Sequence, residues 1–231
     1  SWMEYGSEFD WKSNDALMSD KPQSFVQDDW QLYRSGRDAM KAIARIARGH
    51  KVLLPALCCE SMILPFSANG YDVEFYKMNP DLTGDEEDVR AKLTDGTVLL
   101  YMRYFGIKPF TDEFLLSRRE SGRDIILVED RTHDVIVPRA EGGFTPDAVL
   151  ASLRKWAALP EGGMLRTDMG RCSAGVDARF GDTRREVMEM KVRYLETWEP
   201  ELKKDFLDML HGAERLLDES GEPCGMSAEY E

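Results

Sequence analysis

"RDIILVEDRTH", residues 123–133, places four consecutive apolar residues, Ile125 to Val128, directly before two carboxylates, an arginine, a threonine and a histidine. Four apolar residues in a row leave neither face of a strand for water. Such a strand belongs to a parallel sheet covered by helices on both sides. Asp130 then emerges at the end of the buried run, where a lone carboxylate is costly. It must meet a cation or cap the next element.

The same grammar extends in both directions. "KVLLPALCCESMILPFSANG", residues 51–70, reads as a short strand from Val52 to Leu54, then a helix from about Ser61 closed by Asn69-Gly70. "DVEFYKM" (72–78), "GTVLLYMRYFG" (96–106), "DAVLASL" (147–153) and "GGMLRT" (162–167) read as further strands. "DEEDVRAKL" (85–93) and "TDEFLLSRRESG" (111–122) read as helices between them. Upstream, "SGRDAMKAIARIARG" (35–49) has Met40, Ile43, Ala44, Ile46 and Ala47 at helical spacing, Ser35 as a cap and Gly49 as a stop. Strands alternating with helices predict an α/β fold, a three-layer sandwich with a mostly parallel central sheet. Residues 1–30 read as an N-terminal arm and 31–182 as the main domain. Residues 183–231 read as an amphipathic helical segment, with Met188, Val192, Leu195, Phe206 and Leu210 as its stripe and a break at Pro200.

Composition narrows the function. The 231 residues carry a formal net charge of −13, which speaks against a nucleic-acid footprint. No apolar run approaches membrane-spanning length, and the first residues have neither a basic nor an apolar leader region. Cys58, Cys59, Cys172 and Cys224 have no metal-type spacing, so no metal site and no disulfide framework is expected, and the compartment is the cytoplasm.

Three stretches stand where an open parallel sheet collects functional groups, at the strands' carboxyl ends. Ser35-Gly36-Arg37 opens a helix, where free amides and the helix dipole favour an anion; taken alone, the tripeptide is better read as an ordinary serine cap. Asp130 and His133 close the central strand. Lys155 sits in "SLRKWAALPEGG", residues 152–163, among apolar residues that would strip its solvation and leave a neutral amine for covalent chemistry. The plain alternative is a solvated Arg154-Lys155 pair.

Taken in order, these stretches resemble fold-type I pyridoxal-phosphate enzymes, and most closely the DegT-type sugar aminotransferases. "SGRDAM" resembles that family's phosphate turn, "EDRTH" its strand ending in Asp-x-x-His or Asp-x-x-Gln, and "SLRKWAALPEGG" its serine-containing run with lysine seven residues before Gly-Gly. "VLLPALCCES" (52–61) and "YFG" (104–106) match two further segments, so the resemblance covers about residues 30 to 170. It implies the large domain of that fold, with pyridoxal 5'-phosphate held on Lys155 as an internal aldimine and its pyridine nitrogen paired with Asp130. His133 would lie beside the ring. Ser35, Gly36, Arg37 and Ser152 would hold the phosphate, while Cys59 and Tyr104 would border the cofactor. Lys155, once released, would carry the proton between substrate carbon and cofactor.

The pattern departs from the family at three points. Arg37 replaces a small hydroxyl residue, and Cys58-Cys59 stand where an aromatic ring usually covers the cofactor, which leaves Tyr104 and Phe105 as substitutes. Residues 183–231 would lead into a C-terminal small domain that is truncated or absent. The implied activity is an aminotransferase, a homodimer that moves an amino group from a donor such as glutamate to a keto group on a nucleotide-linked sugar. The dehydratases of the wider family would carry histidine in place of Lys155. The alternative is a non-catalytic relative, a binding or assembly module in polysaccharide biosynthesis.

Overall fold

The computed structural model describes residues 9, 29–135, 143–219 and 221–230. Apart from residues 9, 29 and 30, the segment read as an arm lies outside them. Among the described residues the chain forms a nine-stranded sheet in the order β3-β2-β4-β5-β6-β7-β1-β9-β8. Its parallel body is β2 (Lys51–Pro55), β3 (Asp72–Tyr76), β4 (Thr97–Met102), β5 (Ile125–Asp130) and β6 (Ala148–Ser152). Beyond β6 the direction reverses: β7 (Gly163–Thr167) runs antiparallel to β6, and β1 (Gln31–Tyr33) runs antiparallel to β7. The short β9 (Cys224–Gly225) completes β1's other edge and pairs with β8 (Gly175–Val176).

The apolar runs sort their side chains between two cores. Val52, Leu54, Val98, Leu100, Val128 and Leu150 pack on one face against α1 (Gly36–Ile46) and α2 (Glu60–Ser67). Leu53, Leu99, Tyr101 and Leu127 point the other way, to α3 (Glu86–Lys92) and α4 (Asp112–Arg119). Residues alternating across a sheet covered on both faces make the three layers. Each fully buried leucine in these layers contributes roughly 1.5–3 kcal/mol of transfer free energy.

Local signals explain the helix ends. Ser35 caps α1, its Oγ accepting the Asp38 amide at 3.1 Å. The stop differs from the sequence reading: the left-handed residue after α1 is Arg48, at φ 47°, not Gly49. Gly49 is needed for another reason, since a Cβ there would lie 2.9 Å from the Gly96 carbonyl oxygen and 3.0 Å from Val98.

The charged segment forms two helices, α5 (Arg179–Thr197) and α6 (Pro200–Leu216). Left-handed Trp198 closes α5, and Pro200 opens α6 at its first turn, where a missing N–H costs nothing. Of the expected stripe, Met188, Phe206 and Leu210 are buried, while Val192 and Leu195 are only half-buried; α5 buries Arg184, Val187, Lys191 and Tyr194 as well. Tethers to α1 bring this helical pair beside the sheet: Lys41 Nζ donates to the Leu217 carbonyl at 2.6 Å, and Arg37 meets Asp218 at 2.7 Å. The chain then returns to the sheet, where Ser227 N donates to Glu161 at 2.7 Å.

Candidate active site

Strands β2, β4, β5 and β6 run in one direction, so their carboxyl ends share one edge of the sheet. A cleft of about 1070 Å³ opens along that edge. Asp130, His133, Ser152 and Lys155 line it from the ends of β5 and β6. Ser35, Gly36 and Arg37 line it from α1, and Cys59 and Tyr104 from the loops after β2 and β4. The nine residues singled out in the sequence therefore face one space.

The α1 end of the cleft is built by close approach. A Cβ on Gly36 would lie 3.0 Å from the Ser152 Cβ, so glycine lets the helix start sit directly against the end of β6. Gly163 plays the matching part below, because a Cβ there would overlap the Ser35 carbonyl group. Amides at the start of an eleven-residue helix beside a serine hydroxyl favour an oxyanion. The Ser35 hydroxyl is committed elsewhere, donating to Asp38 at 2.7 Å. The Arg37 guanidinium turns to Asp218, at 2.7 Å, and Glu214, at 3.6 Å.

Asp130 is buried. Its Oδ1 accepts the Thr132 amide at 2.8 Å, and the Thr132 side chain bonds to it as well. Burial raises its pKa above the usual carboxylate range; the Thr132 bonds and the Lys155 charge offset this only in part. Thr132 was not anticipated as a site residue. It holds the site together: its Oγ1 accepts from Ser152 N at 3.2 Å and its carbonyl accepts the Trp156 indole at 2.6 Å. The Asp-x-Thr spacing was its available signal, because Asp side chains often bond the amide two residues on.

His133 is half-buried, stacked on Phe105 with ring centroids 5.0 Å apart and planes at 21°. Its Nδ1 is buried without a hydrogen-bond partner. Burial, then the Lys155 charge, lowers its pKa, which favours the neutral ring. Phe105 is 76% exposed, at φ 52°, and covers one face of the imidazole. Tyr104 hydrogen-bonds the Leu57 carbonyl, and exposed Cys59 contacts Ser61 at 2.8 Å.

Of the two readings of Lys155, the structure favours the solvated one: the side chain is exposed, while that of Arg154 is half-buried. β6 ends at Ser152, and a single 3-10 turn, Leu153–Lys155, carries the amine past the strand end to the open side of the cleft.

The fourth wall comes from α5 and α6 and was not legible beforehand. Glu214 Oε1 lies 2.7 Å from Arg154 and 3.2 Å from Arg184. Burial pushes the Glu214 pKa up, but Arg154 and Arg184 outweigh it and hold the carboxyl below its ordinary value. His211, read as structural, also lines the cleft. Among the described residues no His, Cys, Asp and Glu cluster is arranged for a metal ion, and no helix is long and apolar enough to cross a membrane.

No protein-family model matches the chain. No curated protein matches it either. Solved structures do. A GDP-4-keto-6-deoxymannose-3-dehydratase mutant with bound GDP-perosamine is 22% identical, with a TM-score of 0.51, over 60% of this chain and 39% of its own. The E. coli GDP-4-keto-6-deoxy-D-mannose-3-dehydratase with bound hydrated PLP is 22% identical, with a TM-score of 0.50, over 60% and 39%. A 3-amino-5-hydroxybenzoic acid synthase is 19% identical, with a TM-score of 0.50, over 60% and 38%. The chain thus spans about two fifths of the length of these solved chains. These likenesses show the fold, that of the large domain of fold-type I pyridoxal-phosphate enzymes.

Proposed function

We propose that this chain binds pyridoxal 5'-phosphate in the cleft. We further infer that it is the cofactor-holding part of a cytoplasmic, homodimeric aminotransferase acting on a keto group of a nucleotide-linked sugar. One observation carries this reading: a buried carboxylate, a primary amine and a serine-backed helix start meet at one sheet edge, in the order the family resemblance implies. The residues present fit the cofactor. The Gly36–Ser152 approach makes a cradle that any side chain at position 36 would fill, and the orphaned Nδ1 of His133 awaits a polar partner.

When bound, the cofactor supplies a carbonyl that takes amines and a ring that absorbs electrons from the substrate carbon. Lys155, which is exposed, would supply the amine that holds that carbonyl. The same Nζ would carry the proton between the substrate carbon and the cofactor. Asp130, buried at the end of β5, would pair with the ring nitrogen. The α1 amides and the Ser152 hydroxyl bind the phosphate, and His133, backed by Phe105, borders the ring. Lys155 distinguishes the transfer reading from the dehydratase one, for which histidine would be expected there.

The test is an absorbance scan of the full chain with added pyridoxal phosphate, before and after borohydride, with mass analysis of the labelled peptide. The expected result is a visible band that borohydride abolishes, with the label on Lys155 and none in Lys155→Ala. A labelled Lys155→Ala protein sinks the lysine assignment. No band and no label leaves the chain as a binding or assembly module.

A further inference from the structure

Phe105 contributes little to the core and holds an unfavourable backbone conformation. Its side chain is largely in water, and its backbone sits at φ 52° and ψ 31°, in the left-handed region that favours glycine. Gly106 beside it takes φ 86° without strain. Strain of this kind collects at sites where a side chain has to be aimed.

The ring is aimed at His133. Phe105 stacks on the imidazole at 5.0 Å, and Tyr104 approaches it edge-on at 6.0 Å and 67°. The turn that carries both aromatics is tied to the loop that carries the histidine. Arg103 N donates to the Asp130 carbonyl at 3.0 Å, and the Arg103 guanidinium meets Asp134 at 2.8 Å. The Tyr104 hydroxyl donates to the Leu57 carbonyl, which anchors the turn from its other side.

The two nitrogens of the imidazole are not equivalent in this setting. Nδ1 is buried without a hydrogen-bond partner, so Nε2 is the nitrogen left open to the cleft that His133 lines. A proton on Nδ1 would be a buried donor with no acceptor, the rarest kind of orphan in folded proteins. The carboxylate next to it in sequence, Asp134, is engaged by Arg103 at 2.8 Å and Arg131 at 3.2 Å. Burial and the Lys155 charge, against the opposing charge of Asp134, disfavour the doubly protonated ring.

We propose that Phe105 is a positioning residue: it holds His133 as the neutral tautomer with its proton on Nε2, so that the imidazole offers the cleft a hydrogen-bond donor rather than a base. The inference rests on the cleft being the reaction site and adds the kind of atom that His133 serves there, an oxygen acceptor.

The test is heteronuclear NMR of the histidine rings in the full cofactor-free chain at a pH of about 8, where imidazoles are neutral. The nitrogen shifts report which nitrogen carries the proton, and His133→Gln assigns the signals. Wild type is expected to show a single tautomer at His133, protonated on Nε2. Phe105→Gly is expected to lose that preference and to show the averaged shifts of a free imidazole. Phe105→Tyr keeps the ring and is expected to keep the wild-type pattern. Neither variant removes a buried core side chain, and glycine takes φ 52° without strain, so both chains are expected to fold. A wild-type His133 that is a mixture or carries its proton on Nδ1 overturns the proposal. So does a Phe105→Gly chain with the wild-type pattern, or a Phe105→Tyr chain that behaves as Phe105→Gly does. Adding pyridoxal phosphate to the same samples and reading the absorbance band keeps the two readings apart. A band with a mixed imidazole refutes the positioning alone, and the expected tautomer pattern without a band upholds the positioning and refutes the cofactor reading.

Discussion

Replacing Gly163 with alanine tests whether the Gly-Gly pair after Lys155 exists to seat the start of α1. A Cβ at this position would overlap the carbonyl carbon and oxygen of Ser35 and lie 2.8 Å from Gly36 N. All three are backbone atoms, so no side chain can rotate away. Nor can β7 retreat freely, since Gly163 pairs with Tyr33 on one side and Ser152 on the other. Overpacking a close-fitted site costs about 1–3 kcal/mol, and a purely backbone clash belongs at the upper end, about 3 kcal/mol. At about 2–4 °C per kcal/mol for a chain of this size, the expected fall in Tm is roughly 6–12 °C. The displaced helix start should also weaken cofactor binding, read from the same absorbance titration. Gly175→Ala is the control: its Cβ would enter open space, and its effect should stay within about 0.5 kcal/mol. A Gly163→Ala protein with wild-type Tm and wild-type cofactor affinity would refute the reasoning.

Two further predictions concern Asp130 and Ser35. Burial raises the Asp130 pKa in the folded state, so its contribution to stability is complete below the ordinary carboxylate range and is lost as pH rises through the raised value. Asp130→Asn escapes that loss: the cofactor-free variant should melt increasingly above wild type as pH rises from about 4, the ordinary carboxylate value, while binding cofactor more weakly. A constant or shrinking difference in Tm speaks against it. Ser35→Ala removes the cap bond to the Asp38 amide and the donor to its carboxylate, and should cost about 1–2 kcal/mol in urea unfolding. An unchanged urea midpoint would mean that Arg34 and Lys41 alone hold Asp38.

The parallel body of the fold was legible because its signal is local. The apolar runs of β2, β4 and β5 are long enough to declare burial on both faces, and Ser35 announces its helix. The antiparallel edge was not, because β1 and β9 have three and two residues and acquire their partners across distant sequence. The candidate site divides the same way. Asp130, Ser35 and Lys155 sit at strand and helix ends visible in the sequence, although the exposure of Lys155 depends on a turn that apolar neighbours did not reveal. Thr132 had one local signal, its spacing from Asp130; its bonds to Ser152 and Trp156, 20 and 24 residues on, left none. Arg184, Lys191 and Glu214 were invisible for a different reason. Charge on a helix normally means solvent, and only the packing of α5 and α6 beside α1 turns those side chains toward the cleft.

The position of β1 between β7 and β9 also orders the assembly of the molecule. The parallel body, residues 51–152, can form its ladder and cross over its own helices while synthesis continues. β1 has been made by then but has no neighbour: one edge waits for residues 163–167 and the other for 224–225. The same wait applies to Ser35 and Gly36, whose turn rests on Gly163. An unpaired edge held open over that length of chain slows folding and invites wrong pairings. The turn that would grip the phosphate is thus made before the parallel body and is seated only after β7 has formed.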